Sequence, residues 1–431
     1  MLRQNDTPIH AIRKQAELGL TLLRDLETAV APGQPLDQYL AHYYRQHREF
    51  GSRDRRFFSA LAFAWFRWRG WLPNHETPDA LICILAWLLD APDTHPAIEY
   101  LANNLPPPHP PFQALGSMPM SEKAKVLGQW LQRPPSDVEA LVPSWFAKAL
   151  FYPDAADQSA HLNRCLQAFQ VRPPTWLRTR TGSAPDILAE LKNHNISASL
   201  HSRLAEAVCL PTGANQEILH MLPDVEIQDL ASQCVGLVCA PGAGEHWWDV
   251  CAGSGGKSFH LAALMNNTGS ILATDIRDGI LKECRRRMAR NRARILDIRK
   301  WNGTAATAPD RLFDGVLVDA PCSGIGTWHR NPDARWRTPA DSISRHAEIQ
   351  LNLLNLCANK VRPGGRLVYA VCTLTTAETV GVMEDFLAGR QDFHLESAPH
   401  PLTGESTTGL IRIWPWDGNC NGMFIASLKK P

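Results

Sequence analysis

The part of the sequence that follows Pro223 alternates between short apolar segments and longer segments with helical periodicity. Alternation of this kind builds a parallel sheet with helices on both faces, and ligands bind at the carboxyl ends of its strands. Residues 223–431 are therefore predicted to form an α/β domain. The candidate strands are HWWDVC, SILATDI, RILDIRKW, FDGVLVDA and GRLVYAVC, separated by helical segments such as GILKECRRRMARN and ISRHAEIQLNLLNLCANKV.

Two further regions precede this domain. Residues 1–150 contain segments with apolar spacing near 3.6 residues and few strand signals, which predicts an all-helical domain. The proline-rich stretch LPPPHPPF, Leu105–Phe112, is predicted to be an extended loop within or beside it. Residues 155–222 mix helical and strand-like patterns and are predicted to form a small α+β connector.

Composition excludes several classes of protein. No apolar run approaches the roughly 18 residues of a membrane span, and the polar start MLRQNDTPIHAIRKQ does not resemble a signal peptide, so we expect a cytoplasmic protein with no membrane association. Eleven cysteines show no C-x-x-C pair or repeating spacing, which predicts neither disulfides nor a metal site. The net charge is +1, but residues 276–300 hold ten Lys or Arg against three Asp or Glu. Such a basic segment could contact the phosphate backbone of a nucleic acid, or it could be the solvated face of a helix.

The stretch DVCAGSGGKSFHLA, Asp249–Ala262, resembles a phosphate-binding loop. That loop requires a glycine where this chain has Cys251, which weakens the nucleoside-triphosphate interpretation. A glycine-rich bend that opens a helix still lets backbone N–H groups approach an adenosine-bearing cofactor. Asp275 closes the next strand, 22 positions after Gly253, where a carboxylate can bind ribose hydroxyls or cap the following helix. Nicotinamide, flavin and S-adenosylmethionine all remain open.

Two cysteines follow neighbouring strands. Asp319 and Cys322 lie in DAPCSG after the fourth strand, and Cys372 ends the fifth strand. A buried cysteine is usually a small hydrophobic residue. Two thiols at adjacent strand ends, beside a carboxyl group and a glycine loop, instead predict a reactive pair in one pocket.

These motifs resemble those of the RNA 5-methylcytosine methyltransferases, the family that includes the bacterial Sun/RsmB enzymes. The resemblance covers Leu162–Leu428, and the N-terminal segment RDRRFFSALAFAWFRW resembles, more weakly, a NusB-like RNA-binding domain. It implies a Rossmann-like S-adenosylmethionine-dependent methyltransferase domain preceded by an all-α NusB-like domain and a small α+β connector. The motifs that carry it are QDLASQ, the glycine loop, DAPCSGIG, RPGGRLVYAVCTL and NGMFIA, in family order.

The resemblance also implies residue roles. Carbon 5 of cytosine is a poor nucleophile, so a thiolate must first add at carbon 6. In the family's pattern Cys372 is that nucleophile, Cys322 assists the final elimination and Asp319 hydrogen-bonds the cytosine ring. From its place in the glycine loop, Lys257 is expected to favour the thiolate and to orient the substrate, with a surface lysine at a helix start as the alternative. The residues expected to bind S-adenosylmethionine are Cys251, Ala252, Gly253, Ser254, Gly255, Gly256, Lys257, Asp275, Asn302 and Asp319.

A basic and aromatic segment, TWHRNPDARWR, follows the Asp319 loop. Its side chains could stack on an extruded base and contact phosphates, whereas packing of the tryptophans into the fold is the alternative. The predicted RNA contacts are Trp328, Arg330, Arg335 and Trp336.

The chain departs from the family's pattern at three sites. Gly253-Ser254 replaces Ala-Pro in the glycine loop, Ala370-Val371 replaces the Ser-Thr before the nucleophile, and Asn302 replaces an aspartate. A backbone-lined loop tolerates the first change, and asparagine can still hydrogen-bond adenine or ribose. These departures bear on cofactor affinity.

Three rival functions remain open. A DNA cytosine methyltransferase would use the thiol of Cys322 as its nucleophile, and a nicotinamide dehydrogenase has no use for paired thiols. A non-catalytic RNA-binding ribosome assembly factor needs none of Asp319, Cys322 and Cys372. We expect a monomer that methylates RNA, with ribosomal RNA preferred by analogy over transfer RNA.

Overall fold

The computed structural model describes residues 8–29, 33–73, 77–106, 115–179, 183–212, 222 and 225–431. The chain divides into two compact units. The helical unit comprises Met1–Lys148, Tyr152–Val171 and Trp328–Ala340, and the sheet unit comprises Ala149–Phe151, Arg172–Thr327 and Asp341–Pro431. Most of the proline-rich stretch at 105–112 lies outside the described residues.

The helical unit is built around apolar helices. Helix α3 begins where the Asp54 carboxylate accepts a hydrogen bond from the Gly51 N–H at 3.1 Å, and residues such as Phe58, Leu61 and Trp65 then form a buried face at helical spacing. The helices are α1 Ile9–Ala29, α2 Leu36–Gln46, α3 Ser52–Trp68, α4 Asp79–Asp90, α5 Pro96–Asn103, α6 Met120–Trp130, α7 Phe146–Ala149 and α8 Gln158–Phe169.

The sheet unit includes a small antiparallel sheet that, among the described residues of this region, is flanked by helix α9, Ala184–Asn193. The strands of this sheet are β1 Thr175–Thr179, β2 Ser199–Leu200, β3 Ala207–Leu210 and β4 Val225–Ile227, in the order β2-β3-β1-β4. Helix α9 packs its buried residues on this sheet. Strands β1 to β3 and helix α9 lie within the predicted connector, whereas β4 begins after its predicted end at residue 222.

The larger sheet has eight strands within the described residues. Strands β7-β6-β5-β8-β9 are parallel neighbours, and β12 pairs antiparallel with β9, β10 and β11. The elements after β4 are α10 Leu230–Cys239, β5 His246–Asp249, α11 Gly256–Leu264, β6 Ser270–Asp275, α12 Asp278–Arg290, β7 Leu296–Lys300, β8 Phe313–Asp319, α13 Ala334–Arg337 (in the helical unit), α14 Asp341–Ala358, β9 Val361–Val371, α15 Val382–Gly389, β10 His394–Leu395, β11 Leu410–Ile413 and β12 Met423–Lys429.

Both faces of this sheet are buried. Trp247 and Trp248 are neighbours in β5 but pack into different apolar clusters, because successive side chains of a strand point to opposite faces. The strand register pairs Asp319 with Ala370, so the residues that follow β8 and β9 leave the sheet at the same edge. The α/β arrangement predicted after Pro223 is confirmed as a Rossmann-like core.

The two units divide the chain differently from the predicted boundaries. Residues 155–171, predicted as part of the connector, lie in the helical unit, within Tyr152–Val171. A second difference lies inside the predicted α/β domain. Trp328–Ala340 belongs to the helical unit although it lies between β8 and β9 in sequence. The physical reason is its burial: Trp328 packs on Phe146 and Phe169, with ring centroids 5.3 and 5.7 Å away.

Candidate active site

A cavity of about 860 Å³ opens at the carboxyl edge of the parallel strands. It lies within the sheet unit, between the ends of β5, β6 and β8 and one face of α14. Of the sequence-predicted residues, the cavity is lined by Cys251, Ala252, Gly253, Ser254, Gly256, Lys257, Asp275, Asn302, Asp319, Cys322 and Cys372. Gly255 is the predicted cofactor residue that does not line it.

The glycine loop has its shape for steric reasons. Gly253 and Gly255 have φ values of +55° and +91°, in the left-handed region that favours glycine. A Cβ on Gly255 would lie 2.5 Å from Phe259 and 2.6 Å from the Cys284 sulfur, so no side chain fits. Gly255 therefore allows the loop to pack closely against Phe259 and Cys284, on the side away from the cavity. Helix α11 begins at the next residue.

Asp275 is buried at the end of β6. Its carboxylate accepts hydrogen bonds from the Gly253 N–H at 3.0 Å and from the Arg277 backbone and guanidinium at 2.9–3.0 Å. Burial raises the pKa of Asp275, but the hydrogen bonds from Arg277 and Gly253 outweigh it, and the pKa is lowered overall. A charged acceptor therefore lies beside the glycine loop.

Lys257 and Asp319 form an ion pair at the centre of the site, with 2.7 Å between Nζ and Oδ2. Burial lowers the pKa of Lys257, but the attraction to Asp319 and the hydrogen bond to it raise the pKa by more than burial lowers it. The pKa of Lys257 therefore lies above its ordinary value. The lysine stays protonated. Its direct partner is the carboxylate, although its charge also favours a thiolate at Cys372.

The two predicted thiols meet. The sulfurs of Cys322 and Cys372 are 3.4 Å apart, within hydrogen-bond distance for sulfur. The hydrogen bond donated by Cys322 lowers the pKa of Cys372 against the opposing effect of burial. The same bond, together with burial, holds the pKa of Cys322 well above its usual range. Cys372 is thus the thiol that ionises first, with Cys322 as its proton-bearing neighbour.

Ser254 and Asn302, two residues that differ from the family's pattern, form hydrogen bonds with neighbouring side chains. The Ser254 hydroxyl is hydrogen-bonded by Arg287 at 2.7 Å, which braces the glycine loop against α12. The Asn302 side-chain oxygen accepts from the Thr304 N–H and from the hydroxyls of Thr304 and Thr307. Both residues still line the cavity.

The predicted RNA contacts require a correction. Trp328 and Arg335 are completely buried inside the helical unit, so neither side chain is presented to a base or a phosphate. Trp336 is partly buried, and its indole N–H donates to the Phe66 carbonyl at 2.8 Å. Arg330 is half-buried. Trp328, Trp336 and Arg335 therefore pack into the fold.

Sequence reasoning missed several residues of the site. Ile276, Trp301, Leu353 and Leu356 supply apolar walls of the cavity. The buried Glu378, six residues after Cys372, accepts hydrogen bonds from the loops that carry both thiols. It is the one charged residue in the apolar and hydroxyl-rich stretch TLTTAETV, a pattern that marks the position but does not show that the side chain is buried.

The fold and the cavity define a class: a Rossmann-like methyltransferase domain. Residues 236–429 match the family described as 16S rRNA methyltransferase RsmB/F. The ribosomal RNA small subunit methyltransferase B of Salmonella paratyphi A is 31% identical over 316 residues, which are 68% of each chain. The chain therefore belongs to the RsmB/F family, whose membership supports S-adenosylmethionine as the cofactor.

Two further comparisons agree. A protein of Synechocystis named as a probable ribosomal RNA small subunit methyltransferase B is 37% identical over 212 residues, 47% of each chain, so the match spans about half of that relative's length. The crystal structure of PH0851 resembles this chain with a TM-score of 0.73 at 21% identity, covering 99% of this chain and 100% of that one. At this identity, the resemblance to PH0851 shows a shared fold.

None of the described helices combines the length and apolar character needed to cross a membrane. In the same described ranges, no group of three or more His, Cys, Asp or Glu side chains is arranged to hold a metal ion.

Proposed function

We propose that this protein methylates carbon 5 of a cytosine in RNA, with S-adenosylmethionine as methyl donor and a covalent cysteine–cytosine intermediate. The observation that carries the proposal is the pair of sulfurs 3.4 Å apart beside the Lys257–Asp319 ion pair, in the cavity that also holds the glycine loop and Asp275. Binding alone needs none of these reactive groups.

The donor set of the cavity fits S-adenosylmethionine. Asp275 offers a charged acceptor for ribose hydroxyls, and the glycine loop leaves room for close approach of the cofactor to the backbone. Apolar side chains such as Ile276 and Leu353 suit an adenine ring. The cofactor, when bound, supplies a methyl group on a positively charged sulfur that is open to attack by a carbon nucleophile.

The first task of the protein is to make carbon 5 of cytosine nucleophilic. The Cys372 thiolate adds to carbon 6, and the electron pair of the carbon 5–carbon 6 double bond moves into the ring. Asp319 hydrogen-bonds the ring at N3 through the proton that it shares with Lys257, and this proton neutralises the charge that develops on N3. Lys257, held 2.7 Å from Asp319, keeps this carboxyl group oriented.

The second task is release. Once carbon 5 carries its methyl group, Cys322 assists transfer of the carbon-5 proton to water in the open cavity. The electron pair of that carbon–hydrogen bond re-forms the carbon 5–carbon 6 double bond, and the carbon–sulfur electron pair returns to Cys372. Cys322 assists this elimination, since the hydrogen bond it donates stabilises the departing thiolate.

Ribosomal RNA is the proposed substrate class. The relatives from Salmonella and Synechocystis are named as ribosomal RNA small subunit methyltransferases. The target base must leave its stack to meet the thiols, which favours a single-stranded or locally melted site. Bisulfite sequencing of cellular RNA with and without the gene tests this: loss of one ribosomal site supports it, loss of a transfer RNA site redirects it, and an unchanged map favours an RNA-binding assembly factor.

The chemistry is tested by mutating the two thiols separately. With S-adenosylmethionine and a cytosine-containing target RNA, Cys372→Ala should abolish methylation and form no covalent RNA adduct. Cys322→Ala should accumulate protein bound to RNA on a denaturing gel, because addition proceeds while elimination is impaired. An adduct that survives Cys372→Ala would overturn the assignment and favour a DNA-type mechanism that uses Cys322.

A further inference from the structure

Glu378 lies at the centre of a buried polar network under the two thiols. Its side chain is fully buried, in a π-helical turn at Ala377–Gly381 that follows β9. One carboxyl oxygen accepts from the Ser323 N–H at 2.8 Å and from the Gln350 amide at 3.2 Å. The other accepts from the hydroxyls of Ser323, Thr373 and Thr375 at 2.5–3.2 Å. The carboxyl group is thus bonded by five donors.

These donors come from both loops that carry a thiol. Ser323 follows Cys322 directly, and Thr373 follows Cys372 directly, and their hydroxyls are also 2.8 Å apart. The two loops leave different strands, β8 and β9, which are joined in sequence only through residues 320–360. A single carboxyl group therefore ties together the chain segments on which the sulfur–sulfur distance depends.

The remaining side of Cys322 is held by the same network. Gln350 donates to the Pro321 carbonyl at 2.9 Å as well as to Glu378. The buried Tyr369 hydroxyl donates to the backbone carbonyl of Glu378 at 2.7 Å, and its oxygen also lies 3.0 Å from the Gln350 side-chain oxygen. Pro321, before Cys322, is thus bonded to Gln350, and Ser323, after it, is bonded to Glu378, within one connected network.

We propose that Glu378 is a positioning residue that sets the spacing of Cys322 and Cys372. Without its carboxyl group, Ser323, Thr373 and Thr375 would lose their common acceptor in a buried site, and the two loops would relax independently. The catalytic consequence rests on the proposed function, but the spacing of the thiols does not, so the two can be tested apart.

Phenylarsine oxide reads the spacing directly, with no RNA present. Its arsenic binds two neighbouring thiols, forming two arsenic–sulfur bonds and releasing the oxygen as water with the two thiol protons. Both sulfurs line the open cavity, so the reagent can reach them. We expect tight 1:1 binding in the wild-type protein, and weakening of about 10- to 100-fold in Glu378→Ala, because the second bond loses its high effective concentration. Peptide mapping assigns the bound pair, and Cys322→Ser defines single-thiol binding.

Conservative variants separate positioning from loss of fold. Glu378→Gln keeps the volume and an acceptor for the Ser323 N–H, so it should bind the arsenical with intermediate affinity. Ser323→Ala removes one hydroxyl donor and should weaken binding in the same direction but less than Glu378→Ala. Asp314→Asn is a matched control, since Asp314 accepts from the His246 N–H at 2.7 Å and pairs with Arg362 near the opposite end of β8. It should leave arsenical binding unchanged even if it lowers stability.

Methylation then supplies the catalytic readout. A loop displacement of about 1 Å should lower kcat roughly 100-fold in Glu378→Ala, while the dissociation constant for S-adenosylmethionine stays within about twofold because Glu378 does not line the cavity. Unchanged arsenical binding in both folded Glu378 variants would overturn the proposal, whatever the activity. A wild-type protein that binds the arsenical at this pair but methylates no RNA would instead count against the proposed function.

Discussion

Charged side chains have different roles in the two units. In the sheet unit, Asp275, Lys257 and Asp319 line an open cavity and can exchange partners with a ligand. In the helical unit, Arg67, Asp90 and Arg335 lie in the interior, and Arg335 is completely buried. The same residue types thus serve chemistry in one unit and packing in the other.

The buried arginine of the helical unit acts as a shared cap for helix ends. Arg335 donates to the carbonyls of Phe169, Arg67 and Leu141, which lie at the carboxyl-terminal ends of α8, α3 and a short 3₁₀ turn. Carbonyls at helix ends lack partners within the helix and carry partial negative charge. Arg67 in turn pairs with Asp90 at 2.7 Å. A guanidinium is suited to this task because its donors are fixed in one plane.

The largest expected effect follows from removing this cap. Arg335→Ala should lower the free energy of unfolding of the helical unit by about 3–5 kcal/mol, since several buried carbonyls lose their donor. Denaturant unfolding measures it. The exposed Arg345→Ala, in an ion pair with Asp341 on α14, is the control and should change stability by less than about 0.5 kcal/mol. Unchanged stability with weakened RNA binding would restore Arg335 as an RNA contact.

A smaller effect is expected at the cavity. Asp275→Ala removes the charged acceptor for ribose hydroxyls and should weaken S-adenosylmethionine binding by about 1.5–3 kcal/mol in calorimetry. Asp278, three residues later and exposed at the start of α12, provides the matched Asp278→Ala variant, for which we expect unchanged affinity. Equal affinities in the two variants would remove Asp275 from the cofactor site.

The buried histidine of the helical unit predicts a dependence on pH. Burial, followed by the charges of nearby arginines, lowers the pKa of His329 to about 3. The unfolded chain binds a proton near pH 6.5 and the folded one does not, so stability is lost as pH falls from about 6.5 towards 3, by about 1.4 kcal/mol per pH unit. His329→Gln should flatten this slope in unfolding experiments, whereas His42→Gln, at an exposed position of α2, should not. An unchanged slope in His329→Gln would assign the acid sensitivity elsewhere.

The smallest effect concerns the thiols. The hydrogen bond from Cys322 lowers the pKa of Cys372, so Cys372 should react with iodoacetamide at lower pH than an ordinary cysteine. In Cys322→Ala that bond is lost, and the pH midpoint of Cys372 alkylation should move upward. Mass spectrometry of the modified peptide follows it. A midpoint that stays in place would show that the neighbouring thiol does not tune the nucleophile.

Much of the candidate site was accessible from sequence because strand ends are easily recognised. Asp319 and Cys372 each follow an apolar run, and parallel strands release such residues at one edge. For the segment containing Trp328 and Arg335, the sequence predicts RNA contacts but the structure shows buried side chains. Basic residues beside aromatic ones suit both an RNA-binding surface and an interior in which an arginine caps helix ends. Residue type does not distinguish the two cases, whereas burial does.

Glu378 is a residue of the site that the sequence pattern did not predict. A glutamate among threonines could be a surface residue, a helix cap or a buried acceptor, and its sequence neighbours do not decide. Its donors Ser323 and Gln350 are 55 and 28 residues away in sequence. Such a network depends on contacts between distant segments, which a local pattern does not record.

The sequence by itself determined the α/β class, the glycine loop and the two thiols, because hydrophobic period and backbone freedom are local properties. Only the tertiary structure decided that the sulfurs lie 3.4 Å apart, that Lys257 pairs with Asp319, and that Arg335 faces the interior. The reason is physical. A pKa, an ion pair or a capped helix end depends on distance and burial, and these arise only when strands and helices remote in the chain pack together.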